Sequence, residues 1–128
     1  MRFLSIYKAV ESNVPPTQEH IAAMNTLIEE MTKNGSLIAT EGCLPSAKGA
    51  RVRRSGSKTS VTDGPFTESK ELIAGFAILE APSKEAAIEL TKRFLDVAGD
   101  GECEVRQIWS EADFAAEFPA EKVRTAHV

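Results

Sequence analysis

The alternation of apolar and polar positions divides the chain into six extended runs and three helical ones. Arg2–Ala9 reads as a strand with Phe3, Ser5 and Tyr7 on one face and Leu4, Ile6 and Lys8 on the other, neither face cleanly polar. Val14-Pro15-Pro16 closes it, and Thr17 caps a helix with Gln18 and Glu19 in its first turn. Ile21, Met24, Leu27, Ile28 and Met31 then recur at helical spacing up to the stop signal Asn34-Gly35. Leu37–Gly42 predicts a second strand, and residues 50–54 and 58–62 a hairpin about Ser55-Gly56-Ser57. Residues 72–79 are nearly all apolar, the pattern of a central strand buried on both faces. Ser83 caps a second helix whose Ala86, Ala87, Leu90, Phe94 and Val97 share a face and which stops at Gly99. Residues 102–109 predict the last strand. Ser110 and Asp113 have capping-box spacing, and Phe114 and Phe118 pin a short terminal helix.

Strand, helix, strands, helix, strand is an α+β order: a ferredoxin-like antiparallel sheet with its helices on one face. The strands carry apolar residues on both faces, so the uncovered side calls for a second copy of the chain. The expectation is a homodimer closing face to face into a dimeric α/β barrel. One domain spans residues 1–110, with a short helix and a frayed tail over 111–128.

At 128 residues the chain buries a continuous core without disulfides or metals. A net charge of −4 argues against a general nucleic-acid binder. The N-terminus is too short and interrupted for a signal peptide, and no apolar run approaches the ~20 residues that span a bilayer. A cytoplasmic protein with no membrane contact is expected, with Cys43 and Cys103 as free thiols. Phosphate-cradling glycine loops, zinc-type Cys/His spacings and a serine nucleophile elbow are absent, so no metal or organic cofactor is implied.

One stretch is ordered for geometry. In Asp63-Gly64-Pro65-Phe66, Asp63 suits an Asx turn, Gly64 a positive φ, Pro65 a fixed φ, and Phe66 an apolar anchor behind the corner. This stretch, with Glu41-Gly42, Pro45-Ser46, Lys48-Gly49-Ala50-Arg51-Val52, Glu68, Lys70-Glu71, Gly75-Phe76 and Glu104-Val105-Arg106-Gln107, resembles the YCII-related family, in the branch named for its Asp-Gly-Pro-Phe signature, over roughly residues 1 to 114. The resemblance implies a ferredoxin-like dimer. It also implies a cleft between sheet and helix where a related branch places a His/Asp pair for acid/base work on small aromatic or acidic compounds. His20 matches the histidine of that pair, whereas Met31-Thr32-Lys33-Asn34 holds no match for the aspartate.

Three residues are candidates for proton handling. His20 is the one histidine in a structured segment, and its alternative is a polar group facing water. Asp63 is a base held by the corner or the residue that closes the turn. Glu41 shares a strand face with Leu37 and Ala39, as a cleft carboxylate or as the partner of Arg106 or Lys70 in a salt bridge. Tyr7, Phe66, Arg106 and Trp109 complete the set expected to meet a small-molecule ligand. Lys48, Arg51, Arg53, Arg54 and Lys58 make the hairpin basic, which reads as a charged edge that resists aggregation. The functional expectation is acid/base chemistry in the cleft; the alternative is a non-catalytic dimeric binding or accessory module.

Overall fold

The computed structural model describes residues 1–119; the expected frayed tail beyond them lies outside the described residues. The element order is β1 (Arg2–Ala9), α1 (Gln18–Lys33), β2 (Leu37–Gly42), a single 3-10 turn (Ser46–Lys48), β3 (Ala50–Ser55), β4 (Lys58–Asp63), β5 (Leu72–Glu80), α2 (Lys84–Ala98), β6 (Glu102–Gln107) and α3 (Glu111–Glu117). Four strands form an antiparallel sheet in the order β2-β5-β1-β6, the ferredoxin-like arrangement.

The helix boundaries follow from their caps. Thr17 Oγ1 accepts the backbone N–H of His20 at 3.1 Å, and α1 ends at Asn34 before Gly35, whose φ of +83° closes the turn without a Cβ penalty. Ser83 Oγ accepts the N–H of Ala86 at 3.1 Å to open α2. In α3 the capping box is complete: Ser110 Oγ accepts the Asp113 N–H at 3.0 Å, and the Asp113 carboxylate accepts the Ser110 N–H at 3.2 Å.

Both long helices pack on the face of β1 that carries Phe3, Ser5 and Tyr7. The core there consists of Phe3, Leu27, Met31, Leu37, Leu79, Ala81 and Ala87, with Leu90, Phe94, Val97 and Val105 packed against it. The opposite face is less covered than the apolar run of β5 predicts: Leu4, Ile6, Phe76 and Ile78 are half-buried, and Ile73 is 55% exposed.

Two local expectations are corrected, and the predicted hairpin forms. A bulge between Leu37 and Ala39 breaks the pleat of β2, so Leu37 opposes Leu79 on the helix face while Glu41 opposes Phe76 on the other. The last strand stops at Gln107, and Trp109 leaves the sheet to stack on Phe114 and Phe118, with ring centroids 6.0 and 5.7 Å away. The hairpin β3–β4 is a two-stranded sheet of its own. Gly56 turns it with φ +61°, as the first position of a type II′ turn requires.

Candidate functional site

The site is built from two helical stripes over a floor of small residues. On α1, His20, Met24, Leu27, Ile28 and Met31 recur on one face, and on α2, Leu90, Thr91, Phe94 and Ala98 do the same. Between these stripes and the sheet lies a cavity of about 370 Å³, floored by Ser5 and Tyr7 of β1, Leu37, Thr40 and Gly42 of β2, and Gly75, Ala77 and Leu79 of β5.

The floor is low because of its glycines. Gly42 and Gly75 oppose each other across β2 and β5, and Gly75 also opposes Tyr7, so a patch of backbone faces the helices without side chains. A Cβ on Gly75 would lie 2.7 Å from the Glu41 carbonyl oxygen. The strand directions then give the cavity its polarity. β1 and β2 finish, α1 begins and α2 ends at one end, where Tyr7, His20, Gly42 and Ala98 gather; Met31, Leu37 and Leu79 close the other.

Tyr7 serves as wall and as strut. Its ring meets Phe94 edge-on at 5.2 Å, and its hydroxyl donates to the Asp100 carbonyl oxygen at 2.9 Å, fixing the turn between α2 and β6. Burial pushes the phenol above its ordinary pKa, with Cys103, Asp100 and Glu71 adding to the effect. Two other hydroxyls in the lining are also committed: Thr40 Oγ1 donates to the Phe76 carbonyl at 2.9 Å and Thr91 Oγ1 to the Ala87 carbonyl at 2.9 Å. Burial raises the Cys103 pKa, and the Ser5 contact opposes that rise.

Of the candidates, His20 and Tyr7 line the cavity. Glu41 also borders it, but the bulge places its position on the face of Phe76 and leaves the residue exposed. The expected salt bridges do not form: Arg106 pairs with Glu104 at 3.2 Å, while Glu41 and Lys70 have no ion pair among the described residues. Arg106, Trp109, Asp63 and Phe66 all stand outside the cavity lining.

The Asp63–Phe66 corner is instead docked on the 3-10 turn. The Gly64 N–H donates to the Gly49 carbonyl at 2.9 Å and the Phe66 N–H to Ser46 Oγ at 3.2 Å. The Gly64–Pro65 peptide bond is cis. The Asp63 carboxylate makes no hydrogen bond among the described residues, so the corner is held by backbone bonds and no Asx bond closes it. Phe66 lies under the Arg51 guanidinium, 3.9 Å from the ring centroid, and Arg51 also pairs with Glu68. The backbone N–H of Glu68, and then Arg51, hold the Glu68 carboxyl below the usual carboxylate range. Glu11 supplies the remaining tie, accepting from the backbone N–H and the hydroxyl of Ser46.

Sequence reasoning passed over Ser5, Thr40, Thr91, Glu11 and the role of Gly42. The available signal for the floor was a glycine near the end of β2 and another inside an apolar strand. Among the described residues no group of three His, Cys, Asp or Glu side chains could hold a metal ion, and no helix is long and apolar enough to cross a membrane.

The profile of the YCII-related domain matches residues 1–112. An uncharacterised protein of Rhizobium meliloti (strain 1021) is 33% identical over 58 residues, a stretch covering 45% of this chain and 47% of that protein, so the match spans about half of the relative's length.

Proposed function

We propose that the chain, which belongs to the YCII-related domain family, binds a small, largely apolar organic molecule in the cavity between its sheet and its two long helices. The observation that carries this reading is the cavity itself: about 370 Å³, walled by methionine, leucine and aromatic side chains, with His20 in its lining. Two of the wall residues, Met24 and Met31, have unbranched side chains that adapt to a guest's shape.

The same reading makes the protein a homodimer. The half-buried Leu4, Ile6, Phe76 and Ile78, with exposed Ile73 beside them, form an apolar sheet face that a second copy would cover. Sedimentation equilibrium tests this part: a dimer is expected, and a monomer at micromolar concentration would remove it.

A second reading, acid/base catalysis, is favoured by one observation, the place of His20 in the lining. Asp63 stands outside the cavity lining, and Glu41 borders the cavity from the Phe76 face of β2, so under this reading His20 is the proton-handling group.

A thermal-shift panel of small aromatic and aliphatic compounds separates the readings. Binding raises the melting temperature in wild type and in His20→Ala alike, while Ala98→Phe, which places a ring in the lining, suppresses the shift. A ligand that is bound and also chemically converted by wild type, but only bound by His20→Ala, would establish the catalytic reading. A panel with no stabilising compound would count against both.

A further inference from the structure

The hydroxyl groups inside the cavity specify more than polarity. A hydroxyl carries one hydrogen to donate and two lone pairs to accept with. Thr40 and Thr91 each spend that hydrogen on a backbone carbonyl at 2.9 Å, and Tyr7 spends its own on Asp100. The Ser5 hydroxyl lies near the Cys103 thiol and favours its ionised form. Thr91 and Ser5 are each 7% exposed, and all four residues line the cavity. What Thr40, Thr91 and Tyr7 leave for a guest is lone pairs. His20 and Ser5 are the lining side chains that can donate as well as accept.

We infer that the Thr40, Thr91 and Tyr7 hydroxyls form an acceptor-only surface in the cavity, selecting apolar guests that carry an N–H or O–H donor and rejecting guests whose polar group is a carboxylate or other pure acceptor. This rests on the proposed binding role of the cavity. A guest carbonyl or ether oxygen there meets only oxygen lone pairs, unless a threonine gives up its bond to the backbone. A guest N–H finds an acceptor already aimed and loses nothing. Charge works in the same direction: Asp100 and Glu71 lie close enough to Tyr7 to oppose its ionisation, and an anionic guest would meet the same field. The negative end of the α2 dipole, at Ala98, adds to it, while the opening turn of α1 opposes it near His20.

The test uses three bicyclic probes of nearly the same shape, titrated calorimetrically into the full chain: naphthalene with no polar atom, indole with an N–H donor, and benzofuran with a ring oxygen acceptor. Indole is expected to bind at least about fivefold tighter than benzofuran, the equivalent of one net hydrogen bond of ~1 kcal/mol. Thr91→Val and Thr40→Val keep side-chain volume and remove one acceptor each, so one of them should bring the indole preference close to unity while leaving benzofuran unchanged. Benzofuran binding as tightly as indole in wild type overturns the inference and leaves the cavity reading standing. A preference for indole that survives in both variants overturns the assignment of the acceptors. If none of the three probes binds, the binding role of the cavity fails and the inference falls with it.

Discussion

Placing a methyl group on Gly64 should loosen the hairpin and spare the main sheet. Gly64 is not at positive φ, so alanine is conformationally acceptable there and the whole cost is steric. The added Cβ would sit 1.7 Å from the Ser46 carbonyl oxygen and 2.6 Å from its carbon, and both are backbone atoms that no side-chain rotation can move. Relief requires the corner and the 3-10 turn to separate. That puts at risk the Gly64 to Gly49 bond at 2.9 Å and the Phe66 to Ser46 bond at 3.2 Å. At ~1 kcal/mol net for each, Gly64→Ala should lower the free energy of local opening by about 2 kcal/mol, roughly 30-fold in the opening equilibrium. Because β3 and β4 share no ladder with the four-stranded sheet, the loss should be local. Native-state hydrogen exchange reads it directly: amides of β3 and β4 exchange about 30-fold faster, while those of β1 and β5 barely change. Gly56→Ala is the contrast, since its φ is +61° and nothing lies within 4 Å; its cost is conformational, about 1 kcal/mol. A change below about threefold in the hairpin amides of Gly64→Ala would refute the docking argument.

Other consequences are as direct. Tyr7 is the only tyrosine, so absorbance near 295 nm titrates it alone. Its pKa is raised in the folded state, so it contributes stability that is whole below about pH 10 and is lost as pH rises through the folded value; a folded-state midpoint at or below ~10 would contradict the burial argument. Glu80, held down first by its bond to the N-terminal ammonium, and Glu104, held down first by Lys8, shift the opposite way. Their contribution is present above the ordinary glutamate value of about 4.3 and is lost as pH falls through the lower folded values; acetylating the N-terminus should bring the Glu80 carboxyl back toward that ordinary value in a carboxyl-detected NMR titration. Glu11→Gln weakens the tie to Ser46 by about 1 kcal/mol and should speed exchange at the Ser46 and Gly64 amides about fivefold, with β1 unaffected.

The elements were legible where their causes are local. Thr17, Ser83 and Ser110 cap helices through bonds to residues three positions on, and Gly35 and Gly99 end them, so residue type and order were sufficient. The face of Glu41 was not legible, because counting by twos assumes an unbroken pleat and a bulge after Leu37 shifts every later residue of β2. Trp109 read as strand since nothing in its type says that a pair of phenylalanines in the next helix will draw it off the sheet. Glu11 and Ser46 are 35 residues apart, and Gly42 and Gly75 meet only through strand pairing. The cavity therefore depends on long-range register: the helical stripes that wall it were visible in the chain, and the glycine pair that lowers its floor was a pair only in three dimensions.

The central claim is that a small apolar molecule enters this cavity, and the three methionines supply the readout. Met24 and Met31 line the cavity, whereas Met1 is half exposed at the chain terminus and acts as an internal reference. With the methionine methyl groups labelled with carbon-13, titration with naphthalene should move the Met24 and Met31 resonances along a saturable curve and leave Met1 in place. If Met24 and Met31 stay fixed at saturating probe, or all three move together and without saturation, the cavity is not a binding site.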